Sequence, residues 1–202
     1  MGSEYPVRVQ SMTTTNTNDT EACVKQAEEI IKAGGELVRL TTQGTREAEN
    51  LKPINAQLRA DGYTTPLVAD VHFNPNVADV AALYAEKVRI NPGNYVDGAQ
   101  SFRADYTDED FAEGVRKIRE RFVPFLRLCR AHGTAIRIGV NHGSLSDRIM
   151  SRFGDTPEGM TESCMEFLRL CREEQFNDVV ISIKASNTVV MVRTVRLLVR
   201  TM

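Results

Sequence analysis

Short apolar runs alternate with stretches of helical periodicity along the whole chain. Residues 7–12, 37–41, 67–71, 87–90, 135–140 and 179–183 read as strands. Asn18-Asp19-Thr20-Glu21 offers an N-cap with a carboxylate three residues on. Cys23, Ala27, Ile30 and Ile31 follow at helical spacing until Gly34-Gly35. A second helix is predicted over 47–60, broken or restarted at Pro53, and a short one over 76–84. Residues 91–106 show no periodicity, and a loop of that length is functional or mobile. Thr107-Asp108-Glu109-Asp110 then opens an acidic helix start. Its stripe is Phe111, Val115, Ile118 and Phe122, with a kink expected at Pro124 and an end at His132-Gly133. A short extra helix is predicted over 146–153. Thr156-Pro157 makes an N-cap and N1 pair for the helix carrying Met160, Cys164, Phe167, Leu168 and Cys171. The last helix starts at Asn187, with Val190, Met191, Val195, Leu198 and Met202 available for packing.

These are six βα units in a row, which predicts an α/β fold with a parallel sheet. Polar residues close all six strands at their carboxyl ends, where (β/α) barrels build their sites. A doubly wound sheet concentrates its ligand groups at one switch point instead. No GxGxxG or Walker A loop occurs, so a TIM-type barrel is the preferred reading. A complete barrel has eight units in about 250 residues. Six units predict an incomplete barrel and a piece of a longer protein. The open edges of such a piece lead us to expect self-association or a homodimer, or else marginal stability.

Four of the predicted strands carry a cation in their interior: Arg39, Arg89, Arg137 and Lys184. A charge in a buried strand is costly unless it is paired or meets a ligand. The formal net charge is -2, so no global basic field argues for nucleic acid, and the local clustering of cations is the stronger signal. No apolar run is long enough to span a membrane, and the first residues show no basic-then-apolar leader. A cytoplasmic setting is expected, with a plastid as the alternative for a plant source. None of Cys23, Cys129, Cys164 and Cys171 forms a CxxC pair, so buried thiols are expected rather than a metal site.

Strand residues two apart share a face. Arg39 aligns with Thr41, Asp70 with His72, Arg89 with Asn91, Arg137 with Gly139 and Asn141, and Ser182 with Lys184 and Ser186. Guanidiniums hold phosphate oxygens as a bidentate fork, lysine as a point charge, and carboxamides and hydroxyls fix orientation. The expected ligand is a small phosphorylated or diphosphorylated molecule. The competing reading pairs the arginines with strand-end carboxylates, for which few matching acids are evident. Asp70 and His72 either orient one another for a supporting catalytic role or simply shape the pocket. His142 lies in the pocket wall or, preferably, in solvent. Lys184 could act as a Schiff-base amine, although phosphate binding is the simpler role.

The ordered set Val9-Gln10-Ser11-Met12-Thr13, Leu67-Val68-Ala69-Asp70-Val71-His72-Phe73, Val88-Arg89-Ile90-Asn91-Pro92-Gly93-Asn94, Ile136-Arg137-Ile138-Gly139-Val140-Asn141 and Ser182-Ile183-Lys184-Ala185-Ser186 closely resembles the 4-hydroxy-3-methylbut-2-enyl diphosphate synthase family of the non-mevalonate isoprenoid pathway. The resemblance implies an amino-terminal TIM barrel that binds 2-C-methylerythritol 2,4-cyclodiphosphate. A separate domain holding a [4Fe–4S] cluster is implied to deliver two electrons for ring opening. A reduced ferredoxin or flavodoxin is the implied donor. The family's substrate-binding residues carry over onto Arg39, Asp70, His72, Arg89, Asn91, Arg137, Asn141, Lys184 and Ser186. The segment 141–150, followed by Phe153-Gly154-Asp155, resembles the large, plant-like form with an extra inserted domain. The cluster cysteines, the catalytic glutamate and the insert are implied to lie outside this chain. Residues 1–202 are therefore expected to bind substrate, hold no cluster and be inactive alone. The remaining alternatives are an aldolase, a pterin-diphosphate barrel and a non-catalytic phospholigand-binding module.

Overall fold

The computed structural model describes residues 5–97 and 106–202. Its elements alternate as the sequence predicts: β1 (Gln10–Met12), α1 (Thr20–Lys32), β2 (Leu37–Thr42), α2 (Thr45–Ala60), β3 (Leu67–Val71), α3 (Pro75–Ala82), β4 (Lys87–Ile90), α4 (Pro92–Tyr95), α5 (Asp108–His132), β5 (Ala135–Asn141), α6 (Asp147–Phe153), α7 (Pro157–Glu173), β6 (Val179–Lys184) and α8 (Thr188–Thr201). Helix starts follow local chemistry. Asp19, Asn74, Ser146, Thr156 and Asn187 each accept a backbone N–H of the first turn, and proline stands at the start of α3 and α7. Gly34, at φ +97°, takes the left-handed turn after α1 that other residues resist.

The chain forms two compact units. The first comprises residues up to Arg89 together with Leu128–Ile136. Its strands pair in parallel in the order β1-β2-β3-β4. Strand β3 is buried at every position, as a parallel strand covered on both faces should be. Leu51, Ile54 and Leu58 of α2 are wholly buried with Leu40 and Leu67. Glu86 knits the strand starts: it accepts the Leu67 amide at 2.7 Å, Asn55 Nδ2 at 3.1 Å and Arg59 Nη2 at 2.9 Å.

The second unit comprises Ile90–Arg127 and Arg137–Met202. Strands β5 and β6 are neighbours, and the His142 amide donates to the Lys184 carbonyl at 2.8 Å. An aromatic knot of Tyr95, Phe122, Phe125 and Phe167 fills its interior, with the Phe122 and Phe167 rings 4.9 Å apart. Arg148 is buried beneath it as a closed electrostatic cluster. Its guanidinium forks onto Glu166 at 2.6 and 2.8 Å, reaches Asp97 at 2.8 and 3.0 Å and stacks on Phe111 at 4.4 Å.

Several expectations need correction. Strand β1 is shorter than predicted, because Val7 and Val9 stand largely in solvent at an edge. Helix α2 runs unbroken through Pro53, which is exposed, so the carbonyl it leaves unpaired can be solvated. Of the predicted aperiodic loop, Pro92–Tyr95 forms a helical turn, and residues 98–105 lie outside the described residues. On α8 the buried positions are Thr194 and Leu198, whereas Val195 and Met202 are exposed. All four cysteines are buried, and burial pushes the Cys164 and Cys171 thiols up to about 12.

Burial opposes the Glu86 carboxylate, but the donors from Leu67, Asn55 and Arg59 outweigh it and hold its pKa below the usual range. A depressed carboxylate contributes stability above its unfolded value of about 4.3, and that contribution is lost as pH falls through the folded value. Glu86→Gln should therefore lower stability at neutral pH and flatten the loss of stability on acidification, as read by urea unfolding across a pH series. An unchanged acid slope would remove Glu86 from this role.

Candidate functional site

In the first unit the parallel register places Thr41 beside Asp70 and Asp70 beside Arg89. Arg39, two residues before Thr41, projects from the same face. The three side chains meet. Arg39 Nη2 forms an ion pair with Asp70 Oδ2, and Arg89 Nη1 lies 3.4 Å from Asp70 Oδ1. His72 Nε2 stands 3.6 Å from Asp70 Oδ2. Asp70 is 1% exposed and Arg89 4%. The expectation that few acids match the arginines is thus corrected: Asp70 serves both, because the register sets it between them. Asp70 thus faces two guanidiniums. Burial lowers the Arg89 pKa, Asp70 opposes that, and the nearby Arg39 cation adds to the lowering, so the net shift is downward. Arg39 Nε and His72 Nδ1 are buried without a hydrogen-bond partner among the described residues. Buried polar atoms left open in this way call for a ligand or another explanation.

Lys87 belongs to the same face and was missed in the sequence. It is 8% exposed, pairs in register with Val68, and precedes Arg89 by two residues. That spacing was the available signal.

In the second unit Asn91 is 5% exposed and caps α4, its Oδ1 accepting the Gly93 amide at 3.2 Å. Its Nδ2 donates to Ser144 Oγ at 3.1 Å. Gly93 is required here: a Cβ would fall 1.8 Å from the Ser144 carbonyl oxygen. Arg137 is half-buried, and its Nε donates to Ser182 Oγ at 2.9 Å. Asn141 ends β5 half-buried, and its carbonyl accepts both the Ser144 amide and hydroxyl at 3.2 Å. Lys184 and Ser186 are exposed at and just beyond the end of β6. An exposed Lys184 lacks the apolar surroundings of a Schiff-base lysine. His142 is half-buried rather than free in solvent, with Nε2 3.4 Å from Asp155 Oδ2. Arg148 was also missed in the sequence, since its partners Asp97 and Glu166 are 51 and 18 residues away.

Cys23 Sγ donates to the Asn16 carbonyl at 3.3 Å, and all four cysteines are buried thiols. Among the described residues no group of three or more His, Cys, Asp or Glu is placed to hold a metal. No helix among them is long and apolar enough to cross a membrane.

The model of the GcpE TIM-barrel domain family matches residues 1–202. Over 203 residues the chain is 73% identical to the 4-hydroxy-3-methylbut-2-en-1-yl diphosphate synthase (flavodoxin) of Phocaeicola vulgatus, covering 100% of this chain and 33% of that protein. The same-named protein of Akkermansia muciniphila is 51% identical over 202 residues, covering 100% of this chain and 34% of its own length. The chain thus spans about a third of the length of these curated relatives. Among solved structures, β-methylaspartase from Clostridium tetanomorphum aligns with a TM-score of 0.56 at 13% identity, covering 100% of this chain and 45% of that one. A variant of methylaspartate ammonia lyase from the same organism gives 0.58 at 13% identity, covering 98% and 43%. That likeness concerns the fold alone.

Asp70→Asn removes the carboxylate shared by two arginines, one of them the buried Arg89. Such a loss costs about 3–5 kcal/mol in stability. Urea unfolding should show it, and a loss below about 1 kcal/mol would mean that the pairing contributes no more than a surface contact.

Proposed function

This chain belongs to the GcpE TIM-barrel family, and from that premise we propose that it is the amino-terminal substrate-binding barrel of a 4-hydroxy-3-methylbut-2-en-1-yl diphosphate synthase. The substrate on this reading is 2-C-methylerythritol 2,4-cyclodiphosphate, opened reductively to the linear diphosphate. The carrying observation is the convergence of Arg39 and Arg89 on Asp70, beside the buried Arg39 Nε and His72 Nδ1 that have no hydrogen-bond partner among the described residues. Guanidiniums hold phosphate oxygens as a fork, and a diphosphate offers such oxygens.

Each proposed substrate residue then has a role set by its chemistry. Arg39, Arg89 and Arg137 hold phosphate oxygens, and Lys184 adds a point charge from its exposed position. Asn91, Asn141 and Ser186 supply neutral hydrogen bonds that fix orientation. Asp70 holds the two arginines apart and aligned, and His72 offers Nδ1 to a substrate hydroxyl. Fixed cations of this kind also stabilise charge on a departing oxygen.

The thiols of this chain do not fit a [4Fe–4S] cluster. On this reading the cluster, which supplies the electrons, is held by residues outside 1–202, and 1–202 does not turn over alone. A flavodoxin-type donor is proposed from the names of the relatives. Self-association is proposed from Val189, Val192, Val195 and Val199, which stand exposed on α8.

Calorimetric titration with the cyclodiphosphate tests the reading. Arg137→Ala should weaken binding by roughly 10–100-fold, the range of a charged hydrogen bond, and added salt should weaken the parent protein further. Unchanged affinity in Arg137→Ala would sink the assignment.

A further inference from the structure

Asn91 is buried, and both ends of its carboxamide are engaged. Its Nδ2 donates to Ser144 Oγ at 3.1 Å, and the Ser144 hydroxyl in turn donates to the Asn141 carbonyl at 3.2 Å. At the other end, the Gly93 amide donates to Asn91 Oδ1 at 3.2 Å. From this chain we infer that Ser144 is a positioning residue for the ligand-facing carboxamide of Asn91. The inference rests on the substrate-binding role proposed above for Asn91 and Asn141.

The argument is one of hydrogen-bond polarity. A hydroxyl has one proton to give. Ser144 gives it to the Asn141 carbonyl, so it can only accept from Asn91. Gly93 offers only an N–H, so Asn91 must present oxygen to it. Turning the amide over would set N–H against N–H at Gly93 and oxygen against oxygen at Ser144. The two contacts together admit one orientation. They leave Asn91 with one N–H and one lone pair to offer a ligand. The same hydroxyl ties Asn91 to the end of β5, where Asn141 stands. Ser144 is itself held in place, because its amide also donates to the Asn141 carbonyl and its own carbonyl oxygen lies against Gly93. The turn is further pinned by Asp155, which accepts the Gly143 amide at 3.2 Å.

Ser144 touches no proposed phosphate position, so its effect must pass through Asn91. The test is a double-mutant cycle read by calorimetric titration with the cyclodiphosphate. Ser144→Ala should weaken binding by about threefold to tenfold, one neutral hydrogen bond, and Ser144→Thr, which keeps the hydroxyl, should restore it. Asn91→Ala should weaken binding, and adding Ser144→Ala to it should cost nothing more. Full affinity in Ser144→Ala, failure of Ser144→Thr to restore binding, or losses that simply add in the double variant would each overturn the positioning role while the functional reading stands. Absence of binding by the parent protein would overturn the functional reading and this role with it.

Discussion

A single buried carboxylate, Asp70, organises the charged face of the first unit. Two guanidiniums converge on it, and one of them is almost wholly removed from water. Burying such groups is costly, and an ion pair offsets the cost only when charge and geometry match. For Arg89, burial pulls the pKa down and Asp70 does not fully restore it. On the proposed reading, an anionic ligand adds to what Asp70 supplies.

Arg148 makes the contrast. It is as deeply buried as Arg89, at 2% against 4% exposure, and burial again pulls its pKa down. Yet Glu166 and Asp97 outweigh that burial, and the net shift is upward. Two acids face one base, a ring closes over the guanidinium, and Gly114 leaves it room. Arg148 has what it needs from the protein, so it holds the fold. The same residue type at the same depth thus shows opposite pKa shifts, upward for Arg148 and downward for Arg89.

That division also marks how far the residues can be read without coordinates. Period-two alternation exposed Arg39, Arg89 and Arg137, and cap chemistry located the starts of α1 at Asp19 and α7 at Thr156, because both signals lie within a few residues. Asp70 as the shared acid was not legible, since the pairing is set by strand register across 31 and 19 residues. Arg148 was hidden for the same reason. Pro53 misled because proline breaks a helix only where its lost hydrogen bond cannot be solvated, and exposure is a tertiary property. The valines of α8 show the reverse error: an apolar residue on a helix need not be buried by the part of the protein described.

The thiols complete the division of labour. Cluster ligation needs thiolates, and thiolates form where positive charge or access favours them. Cys164 and Cys171 lie one above the other along α7, seven residues apart, where burial favours the protonated form. Both are buried in α7. The chemistry that these residues support is the holding of charge and the fixing of orientation. Gly93, pressed against the Ser144 carbonyl, and Asn91, fixed at both ends of its amide, show how much local geometry serves that task. On the proposed reading, these contacts hold the donors rigid before an anion arrives.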